Sequence, residues 1–378
     1  ARHVTISRNR VFNVSSSGTG IDDDCEGIYA KASYAQICEN ILKNVGLGSI
    51  FMKGYARAAE MYDSSNPSAY GYGGVCSNNV ITRDSTSYGS GISVFTSDWI
   101  VSHNYIEGCG GPNNRYASIW TNAQLNDNLD INNNMIKNSV GAYGIYMSSY
   151  GQNVKCCNNT IDGVLANIPG MASSNTYGIF FANTNGNSTN TTNIPLLNSV
   201  IEGNTISSVT KMSGSTSIMI SVYAPAGGSE VRQLRISRNI NVGTIDAGVR
   251  LQTGTYPSLT IEGNDFTGVV DPYSVTGSAV VSPMTASGNV GWLYAETVTD
   301  PASLAAGATQ TLATGIVMDD VTSRDSIEVT ASGSLSGTRI WAECNATGLI
   351  DLFQWNPTGA AVNVGSRTFR FKARKFAN

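Results

Sequence analysis

A short phrase recurs along the first three quarters of this chain: an apolar residue, two outward-pointing residues, Asn, any residue, then a second apolar residue. It reads Ile6-Ser7-Arg8-Asn9-Arg10-Val11 near the start and returns at 37–42, 76–81, 101–106, 131–136, 156–161, 201–206 and 261–266. Weaker copies surround Asn239 and Asn289. The ten anchors are Asn9, Asn40, Asn79, Asn104, Asn134, Asn159, Asn204, Asn239, Asn264 and Asn289, separated by 31, 39, 25, 30, 25, 45, 35, 25 and 25 residues. A floor of 25 with longer spacings above it is a repeat carrying insertions. Such periodicity marks units that cannot bury their apolar edge alone and must stack.

Each unit holds a further short strand, clearest as Gly27-Ile28-Tyr29-Ala30, Gly91-Ile92-Ser93-Val94, Gly144-Ile145-Tyr146-Met147 and Gly178-Ile179-Phe180-Phe181. Alternation with period two places Ile28, Ile92, Ile145 and Ile179 inside. Three short strands and three turns fill about 25 residues, one rung of a right-handed parallel β-helix of about ten rungs. The anchor Asn is expected to take the left-handed region at a tight turn and to hydrogen-bond the next Asn along the stack. Composition agrees: 40 Gly and 37 Asn in 378 residues are poor material for long helices. Charged residues are 13%, net charge is −4 and there is no Lys/Arg run, which argues against a nucleic-acid partner. No apolar run is long enough to span a membrane. The cysteines, Cys25, Cys38, Cys76, Cys109, Cys156, Cys157 and Cys344, have no metal spacing and read mostly as free thiols.

The repeat covers 1–294. From 295 to 378 the pattern changes to alternating runs at Thr309–Val317, 326–335, 339–344, Leu349–Trp355 and 368–374, with a turn at 356–359. In the last run Phe369, Phe371 and Ala373 alternate with Arg370, Lys372 and Arg374, so a small C-terminal β-sandwich is expected.

An Asn-laddered β-helix followed by a small all-β module resembles bacteriophage tailspikes and tail-fibre polysaccharide depolymerases with a pectate-lyase-like fold. The stretches 300–309 and 355–362 are similar to C-terminal modules of such proteins. The resemblance implies a virion-tail protein, made in the host cytoplasm and acting at the bacterial surface. It also implies a homotrimer whose missing upstream segment joins it to other tail components, and a terminal module that caps, trimerises or binds sugar. No catalytic motif transfers: the paired Asp and Gly-His-Gly of polygalacturonases, the Arg-x-Pro-x-x-Arg of pectate lyases and the Asp-Pro-His-Glu of mannuronan epimerases are all absent.

Stacking the outward position of the further strand in each rung gives the column Tyr29, Phe51, Ser93, Trp120, Tyr146, Phe180, Met219, Arg250. Two positions earlier stand only small residues: Gly27, Ser49, Gly91, Ser118, Gly144, Gly178, Ser217 and Gly248. Exposed rings beside a small-residue track would form a trough of apolar plates for the C–H faces of a polysaccharide, bacterial surface glycan on the resemblance. The same rings would equally serve a subunit interface. Insertions 15–26 and 53–74 and the neighbouring rungs place charged residues near this face. Hydrolysis needs an acid and a base or nucleophile, with Asp22, Asp24, Glu26, Glu60, Asp84 and Asp98 as candidates. Elimination needs a base and cations beside a uronate carboxyl, for which Tyr29, Lys31, Lys53, Arg57, Arg83, Arg115 and Tyr116 are available. The substrate-binding set is Tyr29, Lys31, Phe51, Lys53, Arg57, Trp120, Tyr146 and Phe180. The triplet Asp22-Asp23-Asp24 lacks the alternation of a Ca²⁺ loop, so no metal or cofactor is expected. Of two histidines, His103 sits in a surface column shared with Arg8, Glu39 and Asn133, which makes Ser–His chemistry improbable. The Asn/Thr-rich 183–198 reads as a polar loop. A depolymerase, a non-catalytic receptor-binding fibre, a secreted cellular lyase or hydrolase and a structural shaft remain open at this point, with the depolymerase preferred.

Overall fold

A computed structural model of the chain describes residues 3–14, 26–30, 32–46, 48–53, 73–84, 88–111, 116–125, 128–166, 175–183, 196–224, 230–276, 279–281, 284–287, 289, 292–318, 321 and 325–374. Every regular element among them is a β-strand. The chain forms two compact units, Ala1–Thr260 with Thr267–Met284, and Ile261–Phe266 with Thr285–Asn378.

The first unit is a right-handed parallel β-helix in which each rung gives one strand to each of three parallel sheets. Thr5–Ser7, Ala35–Cys38, Gly74–Ser77 and Trp99–Ser102 begin the first sheet; Arg10–Phe12, Ile41–Lys43, Val80–Thr82 and Tyr105–Glu107 begin the second. The third runs Glu26–Ala30, Gly48–Lys53, Ser90–Phe95, Ile119–Leu125, Tyr143–Gln152, Thr176–Ala182, Ser217–Tyr223, Ile245–Gln252, Val269–Thr276. In-register pairing stacks like on like. Ile6, Ile37, Cys76, Val101 and Ile131 form one inward column. Val11, Leu42, Ile81, Ile106, Ile136 and Ile161 form the second. Ile28, Ile50, Ile92, Ile119, Ile145, Ile179, Ile220 and Val249 form the third. Almost all of these are fully buried, so the core is three aliphatic stacks.

The asparagine ladder runs between the first and second sheets. Each anchor donates its backbone N–H and its Nδ2 to the Oδ1 of the next: Asn40 to Asn79 at 3.0 and 2.9 Å, Asn79 to Asn104 at 3.0 and 2.9 Å, Asn104 to Asn134 at 3.1 and 2.9 Å. A second Nδ2 bond reaches back to a carbonyl of the previous rung, as from Asn134 to Val101 at 2.9 Å. The expected left-handed backbone belongs to the residue before the anchor: Arg8 (φ 61°), Glu39 (59°), Asn78 (57°), His103 (56°), Asn133 (53°) and Arg238 (53°). The reason is directional. The corner is turned at that residue, which throws its own side chain outward and leaves the anchor's side chain pointing in. The position tolerates Arg, Glu and His because a single left-handed residue costs only ~1–2 kcal/mol.

Within the second unit, Arg367–Arg374 pairs antiparallel with both Trp292–Thr299 and Ser326–Ala331, and Leu349–Trp355 with both Thr309–Val317 and Arg339–Ala346. Phe369, Phe371 and Ala373 from one sheet and Ile350 and Leu352 from the other are fully buried in one cluster, which makes the pair a β-sandwich. At the 356–359 turn Asn356 is buried, donates to the carbonyls of Leu304 and Ala360 at 2.8 and 2.9 Å, and accepts from the Thr358 amide at 3.0 Å.

Replacing Asn134 by Ala strips the acceptor from two donors of Asn104 and leaves the Val101 carbonyl without its side-chain donor. The expected loss is about 2–4 kcal/mol in urea-induced unfolding, whereas Asn9→Ala, at an exposed anchor of this chain, should cost under about 1 kcal/mol. Equal losses at the two positions would refute a cooperative ladder.

Candidate functional site

The outer face of the third sheet carries the aromatic residues, and the pairing there corrects the expected column in one rung. Cα partners run Tyr29, Phe51, Ser93, Trp120, Tyr146, Phe180, Ser221, Arg250. Met219 is fully buried and Ser221 takes the outward place, because Ile220 rather than Ile218 continues the inward stack. The small-residue track is also not part of a trough. A Cβ at Gly27 would lie 2.8 Å from Leu42 Cδ2, one at Gly91 2.7 Å from Ile106 Cγ2, and one at Gly178 2.7 Å from Ile206 Cγ2. Ser118 Oγ likewise donates inward to Ser139 Oγ at 2.9 Å. These residues are small because the third sheet closes against the second there. A side chain at these glycines would collide with the aliphatic stack, whereas in the rung of Ile220 the same register position holds the buried Met219.

The face is wider than one column. Three residues before the central column stand Tyr143 and Tyr177, Cα partners on adjacent strands, and two residues after it stand Phe95 and Tyr223. Tyr29 and Phe51 stack at 5.7 Å between centroids and 5° between planes, Tyr146 and Phe180 at 5.2 Å and 7°, Tyr143 and Tyr177 at 5.2 Å and 7°. Where Ser93 interrupts the central column, Phe95 bridges it, edge-on to Phe51 at 4.7 Å and to Trp120 at 4.9 Å. Trp120 and Tyr146 are Cα partners and both pack on the cluster of Ala117, Tyr143, Tyr177 and Phe180. Phe180 and Tyr223 continue the run at 6.3 Å. Tyr29, stacked on Phe51, is still 48% exposed; Phe51 and Phe180 are 7% and 8% exposed, against the expectation of solvent-facing plates. Adjacent strands hold the rings about 4.8 Å apart, more than the ~3.5–4.0 Å contact distance of carbon atoms. Parallel rings therefore lean on one another like shingles, each hiding most of its surface and leaving part of one face and an edge outward. Burial pushes the Tyr143 and Tyr146 phenols upward, so they remain protonated donors at neutral pH.

At one end of this face lies a polar group absent from the sequence candidates. Arg250 stands between Ser221 and Ser274 in the central column, and Asp271 pairs with Ala247 in the column of Tyr143 and Tyr177. Arg250 is half-buried, and burial lowers its pKa while Tyr177, Asp271 and Asp246 act in the other direction. Its Nε–H is buried with no hydrogen-bond partner among the described residues. Asp246 accepts from Lys211 Nζ at 2.6 Å and from the Ser217 amide and hydroxyl at 2.8 and 2.9 Å. Burial alone would raise the Asp246 carboxyl, but these bonds and the Lys211 charge together hold it below the ordinary value.

Among the sequence candidates, Glu26 begins the third sheet and pairs with Gly48, in the same outward column that ends at Asp271. Asp84 and Asp98 are not brought together. Asp84 accepts from Asn44 Nδ2 at 2.6 Å at the corner leaving the second sheet, and Asp98 from Asn128 Nδ2 at 2.7 Å at the corner entering the first. The strand Ser90–Phe95, about 20 Å long, runs between these corners. Both aspartates belong to outer side-chain ladders, Asp84 with Asn44 and Asn13, Asp98 with Asn128 and Asn153. Arg83 is 6% exposed and donates to the carbonyls of Gly46, Tyr88 and Ser90, so it ties a corner. Tyr116 is buried against Trp120. Asp22, Asp24, Lys31, Arg57, Glu60 and Arg115 lie outside the described residues, as does the side chain of Lys53. Among the described residues no group of three His, Cys, Asp or Glu could hold a metal ion.

Solved structures with similar architecture include phage tailspike proteins. A mutant tailspike of E. coli bacteriophage HK620 in complex with a pentasaccharide matches with 10% identity over 93% of this chain and 71% of that one, at a TM-score of 0.42. The Dettilon tailspike protein matches with 13% identity over 99% and 86%, at 0.34. The tailspike protein of Pseudomonas phage LKA1 matches with 10% identity over 92% and 67%, at 0.28. No protein-family model and no curated protein matches the chain. The fold assignment rests on the chain's own strand ladders.

The Asp246 carboxyl lies below its ordinary 3.8 when folded. The stability it contributes is complete above that range and is lost as pH falls toward the folded value. Asp246→Asn should therefore be less stable than wild type at neutral pH, with the difference shrinking as pH falls below 3.8. A constant difference across pH would refute the linkage.

Proposed function

We propose that the chain is a tailspike-type depolymerase that holds an extended bacterial surface polysaccharide (capsule, exopolysaccharide or O-antigen) along the outer face of the third sheet and cleaves it there. The observation that carries this reading is the ring run from Tyr29 through Phe51, Phe95, Trp120, Tyr146 and Phe180 to Tyr223, one ring in each of seven successive rungs. Six rung spacings extend it about 29 Å along the helix axis. A polymer is the ligand that matches a line of repeated, equivalent contacts. Sugar rings lay C–H faces on the exposed parts of the shingled aromatics, and protonated phenols donate to hydroxyl oxygens.

Cleavage is assigned to the polar end of the face. Asp246 and Asp271 are both in the electrostatic surroundings of Arg250, whose buried Nε–H has no partner among the described residues and would take a substrate oxygen. Hydrolysis uses two carboxylates and is preferred to β-elimination on that ground. Asp246, held ionised by Lys211 and Ser217, is the base or stabiliser, and Asp271 the acid. The HK620 tailspike protein with its bound pentasaccharide is the kind of protein beside which this reading places the chain, with trimeric assembly and a place on the virion tail as part of the same proposal. A trimer would have three times the 39.9 kDa chain mass in light scattering.

The test uses a panel of purified capsule, exopolysaccharide and O-antigen preparations, followed by new reducing ends and by near-ultraviolet absorbance of unsaturated products. Asp271→Asn should slow release of reducing ends by about 10²-fold or more with binding retained. Trp120→Ala and Tyr146→Ala should each weaken binding roughly 2- to 10-fold with the oligomer intact. A broken oligomer would move the rings to a subunit interface, and retention without shortening would make the chain a receptor-binding fibre. Absorbing products would select elimination.

A further inference from the structure

The C-terminal sandwich carries a second face with the same two ingredients, independent of the reading above. Its outer sheet positions, on Thr309–Val317, Leu349–Trp355 and Arg339–Ala346, form three cross-strand rows. In the first, Thr309, Trp355 and Arg339 are partners, and the Arg339 guanidinium lies over the Trp355 ring at 5.5 Å. In the second, Thr311, Phe353 and Trp341 are partners, and the two rings stack at 5.4 Å and 18°. In the third, Asp351 and Glu343 stand directly opposite each other. The intervening Ile350, Leu352 and Gln354 are buried, so these rows point away from the sandwich core, and their rings are only half-buried.

Two carboxylates opposite one another destabilise a sheet by roughly 0.2–1 kcal/mol, and no cation among the described residues forms an ion pair with either. Their local bonds are few: Trp341 Nε1 donates to Glu343 Oε1 at 2.9 Å, and the Gly315 amide to Asp351 Oδ1 at 2.9 Å. Acceptor capacity therefore remains beside a leaning ring pair. This combination disfavours burial under a second protein, because covering unpaired carboxylates is costly and interface centres are depleted in acidic side chains. It also disfavours an anionic ligand. A neutral polyol matches it: hydroxyls donate to the carboxylates, a C–H face lies on Trp341, Phe353 and Trp355, and Arg339 donates to a ring or hydroxyl oxygen.

We propose that the outer face formed by Trp341, Phe353, Trp355, Arg339, Glu343 and Asp351 is a second, non-catalytic binding site for neutral glycan. A depolymerase so equipped stays on its polymer while the β-helix face releases a cut end.

The test labels the full chain with 5-fluorotryptophan and assigns the Trp341 and Trp355 resonances by Trp→Phe substitution. Methyl α-glucoside, methyl β-galactoside, N-acetylglucosamine, dextran and galactomannan are the neutral probes, and alginate is the acidic one. Single sugars are taken to about 100 mM, above the millimolar range in which isolated contacts saturate. The expected result is a saturable shift of both resonances with at least one neutral probe, unchanged in Trp120→Ala. Alginate should produce none. Glu343→Gln and Asp351→Asn, which keep the rings and the fold, should each weaken the neutral response about tenfold, the loss of a hydrogen bond to a charged group. No shift with any neutral probe, or a stronger response to alginate, overturns the site. Shifts that follow protein concentration without sugar, with loss of the oligomer in Trp341→Glu, overturn it in favour of a contact between copies.

Discussion

Everything in the first unit depends on in-register parallel pairing at a fixed rung spacing. Because partner residues sit directly above one another, whatever stands at one position of a rung is stacked on its counterpart in the next. Inside, this turns Ile on Ile into continuous aliphatic columns. At the corner between the first and second sheets it turns Asn on Asn into a ladder in which each amide both donates to its neighbour and accepts from the other side. A buried primary amide has four hydrogen-bonding valences, and an isolated one would be hard to satisfy. The repeat satisfies it by translation, which is why the anchor is Asn in rung after rung while the residue before it varies freely.

The same constraint shapes the outer face of the third sheet. Aromatic residues on adjacent rungs are held too far apart to stack flat and too close to stand apart, so they lean. Leaning explains how Phe51 and Phe180 are at once on the outer face and nearly buried. It also explains why Ser93 does not end the run: with no ring at 93 to lean on, the far side of Phe51 is met edge-on by Phe95 from the neighbouring column. At the other end Arg250 takes the column position next to Ser221, and its desolvation follows from the same crowding.

Much of this was legible in the sequence. The 25-residue floor, the inward Ile28, Ile92, Ile145 and Ile179, and the rings at Tyr29, Phe51, Trp120, Tyr146 and Phe180 are all periodic, and periodicity survives insertions. What was not legible depends on where the chain bends within a rung. A strand that closes tightly against its neighbour turns two successive side chains inward, so strict alternation wrongly put Gly27 and its counterparts outside. In the rung of Ile218 and Ile220 two aliphatic residues of the same parity compete, and only pairing with Ile179 decides between them. The left-handed residue was misplaced by one for a related reason: Asn is the commonest choice for that backbone, but here its side chain was needed in the ladder. Asp246 and Asp271 stand in no repeated column of acids, so no stacking argument singled them out.

The sandwich shows why aromatic content alone is a poor guide to function. Phe369 and Phe371 are as large as Phe353 and lie on a neighbouring strand pattern, yet they are core and carry no further meaning. The distinguishing feature of the opposite face is that its rings share a surface with carboxylates that the fold does not neutralise. Glu343 and Asp351 are cross-strand partners on that face. Their direct opposition, next to an uncovered ring pair, is an energetic defect with a chemical complement, and hydroxyl donors supply that complement without introducing charge. The β-helix face adds to its carboxylates a guanidinium whose Nε–H has no partner among the described residues, beside protonated phenols, and so also takes acceptor oxygens. Sugars carry both donor and acceptor oxygens on every ring, which is the chemistry that each proposed face, taken by itself, would require.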